Sequence, residues 1–383
     1  MKLSPRATSV PHSPIGAATA RLADRTDPRP LLNLSQAAPS FAPPPEVTRR
    51  LAELAGEPDG ARYMPQPGLP SLREAVADDL SAAYDARLET ADVLITNGCN
   101  QAFCVTISAL AGPGDNVVLV LPFYFNHDMW LQVEQIEARH CRPSDGMIPT
   151  VDDLAMHLDD RTRAVVLVSP GNPSGAIVPP SRLREIGELA RRHDMALVID
   201  ETYRGYRGTG APAHDLFRDD DWREHVISLH SFSKDLAIPG YRVGAVVAGS
   251  AVTTEALKIL DCVAICTSST GQHAAEAGLR HAGQWRRAQA DRILGIQHRF
   301  ETMMAERPGG YVLVSAGAYF GWVRHPFDES TEQVVQRLAV DHGVLAIPGV
   351  AFTPTDDGMI RFSFANMEAD DVAVLRDRLE ESA

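Results

Sequence analysis

Short apolar runs alternate with amphipathic stretches along the chain from about residue 45 to residue 270. The runs have the length of buried strands, and the stretches between them repeat apolar residues at helical spacing, as from Ser71, after Pro70, and from Pro180. Such alternation predicts βαβ units that build a mainly parallel sheet. The predicted strands are DVLIT from Asp92, NVVLVLP from Asn116, AVVLVSP from Ala164, MALVIDE from Met195, HVISLHS from His225 and GAVVAG from Gly244.

The pattern changes after a helical stretch over about residues 251 to 306. Two short strand pairs, YVLV with AYFGWV and VLAIP with MIRFSF, then alternate with the helix candidates TEQVVQRLAV and EADDVAVLRDRL. This texture predicts a smaller α+β domain, and FAPPPE at Phe41 to Glu46 is predicted to be a linker. We expect an N-terminal arm over residues 1–42 that contributes to the active site and the small domain, a large domain over 43–275 and a small domain over 276–383.

Composition and charge narrow the class of protein. The chain has 383 residues, of which 44% are hydrophobic and 22% charged, as in a globular protein of two domains. Its net charge of -14 argues against a nucleic-acid partner. No segment reaches membrane-spanning length and the N-terminus has no long apolar run, so we expect a cytoplasmic protein without a membrane partner. The five cysteines lack zinc-site spacing, which predicts free thiols and no metal site.

Lysine is rare in this chain, which contains only Lys2, Lys234 and Lys258 among 36 basic residues. Lys2 is close to the terminus, and Lys258 falls in a helical pattern where a solvated face is expected. Lys234, in SFSK, directly follows a predicted strand. A primary amine can lose its proton near neutral pH and attack a carbonyl, whereas a guanidinium cannot. Lys234 is therefore a candidate for amine chemistry.

Polar side chains follow four of the predicted strands, in NGCNQAF, GNPSG, ETYRGY and SFSK. Because ligands bind beyond the carboxyl ends of the strands in an open parallel sheet, we expect these loops to converge. Taken singly, each has a structural interpretation, as a turn, a helix cap or a packing aromatic. Their occurrence together favours a catalytic site.

Two other classes of protein share single features with this sequence. SFSK is also an S-x-x-K box, in which Ser231 would be a nucleophile, but neither S-D-N nor K-T-G is present. A non-catalytic regulator would need a DNA-binding module, and the first thirty residues are too short and too poor in basic residues to supply one. Both alternatives are disfavoured.

The motifs as a set resemble those of the fold-type I pyridoxal-phosphate enzymes, specifically the class I/II aminotransferases, from about Leu32 to the C-terminus. The matching segments are ARYMPQPGLPSLREAV, NPSG, DETY, SFSKDLAIPGYRVG and IRFSFA. The resemblance implies an α/β fold whose large domain contains a mainly parallel seven-stranded sheet beside a smaller α+β domain. It also implies a homodimer that binds pyridoxal 5'-phosphate, an amino acid and a 2-oxo acid.

The resemblance implies a role for each matching residue. Lys234 would bind the cofactor aldehyde covalently and move the substrate proton, and Asp200 would pair with the pyridine nitrogen. Asn172 and Tyr203 would hydrogen-bond the ring oxygen, which makes Lys234, Asp200 and Tyr203 the predicted catalytic residues. The predicted phosphate ligands lie at a helix N-terminus and in the lysine motif: Gly98, Cys99, Asn100, Ser231, Ser233 and Arg242.

Other implied contacts involve the ring face and the substrate. Tyr124 would stack on the ring, and Tyr63 would reach the phosphate of the partner subunit. Arg361 would bind the α-carboxylate as a planar fork, with Asn172 and Ala37 completing the substrate site. The chain departs from the family pattern at Ser35, Ala37 and Ala38, where glycine is usual, at Cys99, where a smaller residue is commoner, and at Asn126 and His127, where relatives have another aromatic residue nearby.

The expected reaction is amino-group transfer, with β-elimination and oxidation as alternatives that the same residues would serve. Arg361 disfavours decarboxylation because it would hold the carboxylate in place. Phe123, Phe125, Tyr206 and Phe320 point either to a neutral or aromatic substrate side chain or to core packing. For His127, two interpretations stay open, a substrate contact and a solvated helix turn. A further hypothesis is that HSPIGAATARLADR folds over the site.

Overall fold

The computed structural model describes residues 1–383 and contains thirteen strands and fifteen α-helices. The strands are β1 Leu32–Asn33, β2 Val93–Thr96, β3 Asn116–Val120, β4 Glu137–Cys141, β5 Thr162–Val168, β6 Ala196–Asp200, β7 Val226–Ser231, β8 Gly244–Val247, β9 Val312–Gly317, β10 Phe320–Arg324, β11 Val344–Leu345, β12 Ile347–Pro348 and β13 Met359–Phe362. The helices are α1 Pro5–Thr8, α2 Pro14–Ala20, α3 Pro45–Leu54, α4 Pro70–Tyr84, α5 Cys99–Leu110, α6 Phe125–Glu134, α7 Val151–Ala155, α8 Pro180–Arg192, α9 Trp222–His225, α10 Phe232–Asp235, α11 Ser250–Ala264, α12 Ser269–His281, α13 Gly283–Ala305, α14 Thr331–Asp341 and α15 Asp371–Glu381.

A seven-stranded sheet forms the centre of the larger part of the molecule. Its strand order is β2-β8-β7-β6-β5-β3-β4, and only β8 runs antiparallel to its neighbours. The α/β fold with a mainly parallel seven-stranded sheet is thereby confirmed. All six apolar runs form strands of this sheet. The seventh, β4, was missed because it lies at the sheet edge, where the polar side chains of EARHC remain partly exposed.

Helices cover both faces of this sheet, and their sequences explain where they begin. Pro70 and Pro180 occupy the first turns of α4 and α8, where a missing N–H costs no helical hydrogen bond. In α8, Leu183, Ile186 and Leu189 recur at helical spacing and are buried. The two apolar faces of the sheet pack into separate hydrophobic clusters, one of 34 and one of 22 buried residues, so both faces are shielded from water.

A four-stranded antiparallel sheet, in the order β12-β13-β10-β9, forms the second centre. It packs with α13, α14 and α15 around a separate hydrophobic cluster that includes Phe300, Val335 and Leu375. The N-terminal arm joins this part, because Leu32 pairs with Val344 in a short parallel sheet of β1 and β11. None of the helices combines the length and the apolar character needed to cross a bilayer.

Candidate active site

A cavity of about 510 Å³ lies at the carboxyl ends of β5, β6 and β7 and is closed on one side by the N-terminal arm and β13. Twelve of the fourteen predicted catalytic, cofactor-binding and substrate-binding residues line it: Ala37, Cys99, Asn100, Tyr124, Asn172, Asp200, Tyr203, Ser231, Ser233, Lys234, Arg242 and Arg361. Gly98 directly precedes the lining helix α5. Tyr63 is the exception, since it lies outside the cavity and is 78% exposed.

One end of the cavity has features that suit an anion. Helix α5 begins there, and the first N–H groups of a helix have no partner within it. Gly98 has φ of 85°, and a Cβ at this position would overlap the guanidinium of Arg242. Ser231 caps the short helix α10 by accepting a hydrogen bond from the Ser233 N–H at 3.3 Å. Helix dipole, hydroxyls and guanidinium together favour a phosphate-like group.

Asp200 lies in the floor of the cavity and is held on both carboxylate oxygens. Its Oδ1 accepts the backbone N–H of Thr202 at 3.0 Å, and its Oδ2 lies 3.5 Å from Nε2 of His127. Burial acts to raise the pKa of Asp200, but the hydrogen bond and charge of His127 and the contacts of Thr202 outweigh it, so the pKa is lowered. Asp200 can therefore stay ionised opposite a cationic ring nitrogen.

Lys234 ends in the same cavity. Its Nζ donates a hydrogen bond to the carbonyl oxygen of Ala37, in the N-terminal arm. Burial, with the positive charges of Arg361 and Arg242, lowers the pKa of Lys234 to about 8. Much more of this amine is thus uncharged near neutral pH than of an ordinary lysine, and the uncharged form is the one that acts as a nucleophile or proton acceptor.

Arg361 lies in β13 and is 2% exposed. Its Nη1 donates to Oδ1 of Asn172 at 2.9 Å, and its Nη2 donates to the Ser35 carbonyl oxygen. The guanidinium lies 5.0 Å from the ring centroid of Phe320 and 4.9 Å from that of Phe352, while its buried Nε has no partner. Burial lowers the pKa of Arg361 to about 10. A cation so poorly paired is suited to a ligand carboxylate.

The two tyrosines of the cavity have different surroundings. The hydroxyl of Tyr124 lies 2.8 Å from Oδ1 of Asn126 and 3.2 Å from Oδ1 of Asn100, so its ring is fixed at the cavity wall. Tyr203 is 4% exposed and its ring packs edge-on against Phe320, with centroids 5.1 Å apart. Burial raises the pKa of both phenols, which keeps their protons available for donation.

Several residues differ from what the sequence suggested. His127 is not on a solvated turn: it is 2% exposed and stacks on Phe103, with ring centroids 3.9 Å apart. Of the four aromatic residues considered for the substrate, only Phe125 lines the cavity. Phe320 packs against Arg361 instead, and Tyr206 donates a hydrogen bond to the Lys234 carbonyl oxygen at 3.0 Å.

Some lining residues carried no sequence signal that identified them. Ser13 and Ile15 line the cavity, but they belong to HSPIGAATARLADR, the segment hypothesised to fold over the site. Gln36 of the N-terminal arm and Thr202 near Asp200 reach the cavity without such a signal. Recognition of Gln36 required the pairing of β1 with β11, which brings the arm to the site. For Thr202, its place two residues after an aspartate at a strand end offered a usable signal, because an aspartate side chain often accepts the backbone N–H two residues on.

These residues fit pyridoxal phosphate. The anion-binding end matches its phosphate, the ionised Asp200 matches a protonated pyridine nitrogen, and the amine of Lys234 matches its aldehyde. Tyr203 makes no hydrogen bond through its hydroxyl within the chain, which leaves a donor for the ring oxygen.

Comparison with known proteins agrees with this geometry. The sequence profile of the family described as "Aminotransferase class I and II" matches residues 29–379. A relative from Arabidopsis thaliana named "Aromatic aminotransferase ISS1" is 30% identical over 358 residues, which cover 91% of this chain and 87% of the relative. An "Aspartate aminotransferase" of Pyrococcus abyssi is 25% identical over 341 residues, which cover 88% of this chain and 87% of that relative.

Solved structures give the same result for the fold. The structure titled "Aspartate aminotransferase from Thermus thermophilus with maleate" superposes with a TM-score of 0.91 at 22% identity, and the alignment covers 100% of both chains. At this identity the likeness concerns the fold alone.

Proposed function

This chain belongs to the class I and II aminotransferase family, and we propose that its cavity residues bind pyridoxal phosphate for moving an amino group from an L-amino acid to a 2-oxo acid. When bound, the protonated pyridine ring withdraws electrons from the substrate Cα and so makes its proton acidic. Family membership favours amino transfer over the β-elimination and oxidation that the same residues would serve. The observation that carries the assignment of roles is the amine of Lys234, with its lowered pKa, in a cavity that also contains Asp200 and Arg361.

Three residues of the chain have separate roles in this reaction. Arg361 binds the α-carboxylate of the amino acid, and the hydrogen bond from its Nη1 to Asn172 fixes the plane of the guanidinium. Lys234 would take the proton from the substrate Cα through Nζ and deliver it to C4′ of the cofactor. Asp200 stays ionised through its contacts with His127 and Thr202, which keeps a negative charge opposite the ring nitrogen.

The remaining predicted ligands are proposed to bind the cofactor without taking part in proton transfer. The N-terminus of α5 with Gly98, Cys99 and Asn100, together with the hydroxyls and guanidinium of the lysine motif, would hold the phosphate. The thiol of Cys99 is buried and its pKa is raised well above the ordinary value by that burial, so only its backbone N–H is offered. Tyr124 would lie against the ring face, and Asn172 and Tyr203 would reach its oxygen.

We propose that the amino donor has an uncharged side chain, aromatic or aliphatic. The charged residues that line the cavity are Asp200, Lys234, Arg242 and Arg361, and each already has a role at the cofactor or the α-carboxylate. Within this chain no further cation faces the cavity for a side-chain carboxylate, whereas Ile15, Phe125 and Val168 add apolar surface. The relative of 30% identity is named an aromatic aminotransferase.

Assembly and domain division are part of the same proposal. The exposed Tyr63 is proposed to reach the phosphate of a second copy in a homodimer. The arm over residues 1–42, a large domain and a small domain remain the proposed units. Since residue 275 lies inside α12, we place the second boundary at Ala282, between α12 and α13. A cytoplasmic location stays an expectation.

The test is a panel of half-reactions with purified enzyme loaded with pyridoxal phosphate, followed by the cofactor spectrum. Phenylalanine, tyrosine, leucine, aspartate and glutamate are compared by kcat/KM, with product amino acids identified after addition of 2-oxo acids. The neutral donors should react faster than the two dicarboxylates. The substrate proposal fails if aspartate is the best donor, and the cofactor proposal fails if the protein does not take up pyridoxal phosphate.

A further inference from the structure

Four ionised side chains meet beside the segment that carries Lys234. Asp79 of α4 lies between two arginines: its Oδ2 contacts Arg204 and its Oδ1 lies 2.7 Å from Nη1 of Arg286. The other terminal nitrogen of Arg286 lies 3.3 Å from Oδ2 of Asp235. Two negative and two positive charges thus form a balanced cluster, whose side chains are 9% to 22% exposed. None of the four lines the catalytic cavity.

Asp235 directly follows Lys234 in the chain and is buried. Arg286 is the only side chain that pairs with its carboxylate. The carboxylate packs against Gly205, where an added Cβ would come within 2.9 Å of Oδ1. Because a buried carboxylate without its cation is strongly destabilising, the place of Arg286 determines where Asp235 can lie.

The main chain of Lys234 is held from another side as well. Its carbonyl group is near the end of the four-residue helix α10 and accepts the hydroxyl of Tyr206 at 3.0 Å. The hydroxyl of Tyr319 in turn donates to Tyr206 at 3.2 Å. The carbonyl oxygen and the next side chain are therefore both fixed, while Nζ alone points into the cavity.

Arg286 belongs to the first turns of α13, the helix that packs on the four-stranded sheet. Further along this helix, Phe300 is part of the core of that sheet. The pair Arg286–Asp235 consequently links the lysine segment, at the end of the large sheet, to the helix that carries the small one.

We propose that Arg286, acting through Asp235, is a positioning residue for Lys234. The proposal rests on the function assigned above to Lys234. That amine has to meet the cofactor aldehyde and then the substrate Cα, and a displacement of about 1 Å at such a group costs on the order of 100-fold in rate. Arg286 also neutralises Asp235, and the charges that lower the pKa of Lys234 are those of the cations Arg361 and Arg242.

The experiment compares Arg286→Ala, Arg286→Lys and Arg287→Ala in the enzyme loaded with pyridoxal phosphate. Arg287 is the matched control because it is exposed on the same helix and makes no ion pair. We measure kcat, KM and the pH midpoint of the visible absorbance of the bound cofactor.

Arg286→Ala should lower kcat about 10- to 100-fold with KM unchanged. Its midpoint should move to higher pH, because the uncompensated charge of Asp235 stabilises a protonated nitrogen at Lys234. Arg286→Lys should recover part of the lost kcat and part of the shift in the pH midpoint. Arg287→Ala should match the wild type in both quantities.

A second variant separates positioning from general stability. In Arg286→Ala combined with Asp235→Asn, no charge is left unpaired next to Lys234, so the pH midpoint should return toward that of the wild type. The inference is overturned if Arg286→Ala keeps the kcat and the pH midpoint of Arg287→Ala, or if Asp235→Asn leaves the shifted midpoint in place. If Arg286→Ala alone does not fold, Asp235→Asn with Arg286 intact must still lower kcat, and an unchanged kcat overturns the inference. A wild-type protein that takes up no cofactor would contradict the proposed function instead.

Discussion

Nε2 of His127 lies 3.5 Å from Oδ2 of Asp200. The histidine ring stacks on Phe103 and meets Tyr124 edge-on, with the ring centroids 5.1 Å apart in the second pair. These contacts leave the imidazole little freedom to turn away. His127 therefore contributes, together with Thr202, to the lowered pKa of Asp200.

This relationship predicts the acid limb of the activity profile. His127→Phe keeps an aromatic ring against Phe103 but removes the hydrogen bond, so the lowered pKa of Asp200 should rise. A carboxylate with a lowered pKa loses its charge only as the pH falls through that value, and the variant should therefore lose kcat/KM at a higher pH than the wild type. The control is His140→Phe, which removes a histidine–aspartate pair, 2.9 Å from Asp128, outside the cavity. Identical acid limbs in the two variants would contradict the role of His127.

The three lysines allow a direct test of covalent attachment. After incubation with pyridoxal phosphate and reduction with borohydride, mass spectrometry should find the label on Lys234, since this amine has the lowered pKa. Lys234→Ala should abolish that label and lower kcat by about 10²- to 10⁴-fold, the usual contribution of a proton-transferring side chain. The control is Lys258→Ala, on the exposed face of α11, where the lysine pairs with Glu255 at 2.7 Å. Retention of the label in Lys234→Ala would overturn the assignment.

The lowered pKa of Lys234 also predicts how stability depends on pH in the cofactor-free protein. The folded-state pKa is about 8, below the ordinary value of 10.5, so the unfolded chain binds more protons between these values. The free energy of unfolding should consequently gain a contribution from Lys234 as the pH rises from 8 toward 10.5. Unfolding of the wild type and of Lys234→Met in urea at pH 7.5 and 9.5 measures it. A difference between the two proteins that does not change with pH would show that the amine has an ordinary pKa.

Arg361 is expected to act on substrate affinity rather than on cofactor binding. Arg361→Lys keeps the charge but loses the planar fork that faces Asn172, and a charge-assisted hydrogen bond contributes about 1.5 to 3 kcal/mol. KM for the amino acid should rise about 10- to 100-fold, while the dissociation constant of pyridoxal phosphate stays unchanged. Arg324→Lys, at the exposed end of β10, is the matched control. Weakened cofactor binding in Arg361→Lys would place this residue in another role.

Tyr63 provides a test of the homodimer. Tyr63→Ala and Lys234→Ala are each impaired by themselves, and the two are mixed under conditions that exchange subunits. If Tyr63 serves the neighbouring site, each hybrid dimer has one site without either change, and about a quarter of the wild-type activity should return. If Tyr63 acts within its own subunit, or not at all at the phosphate, the mixture should show only the average of the two variants.

Local pattern alone was sufficient for most of the fold. Apolar runs of strand length identified six strands of the large sheet, and the resemblance of five segments to one family gave the seven-stranded sheet and the reaction, both of which are confirmed. Buried positions recur about every 2 residues along a half-buried strand and about every 3.6 residues along a helix. They can therefore be recognised from a short stretch of sequence. The same argument isolated Lys234, because a lysine among so many arginines indicates that an amine is needed.

Contacts between distant segments were decided only by the tertiary structure. Arg361 of β13 and Asn172, in the loop after β5, are 189 residues apart and form a hydrogen bond in the cavity. Strand β4 pairs with β3 at the sheet edge despite a polar sequence. His127 became the partner of Asp200, and Arg286 came to lie beside Asp235, through the packing of helices that no local pattern describes. The sequence determined which chemical groups are available at the strand ends. Their partners, and therefore their charges and pKa values, follow from which segments exclude water from one another, a property of the whole chain.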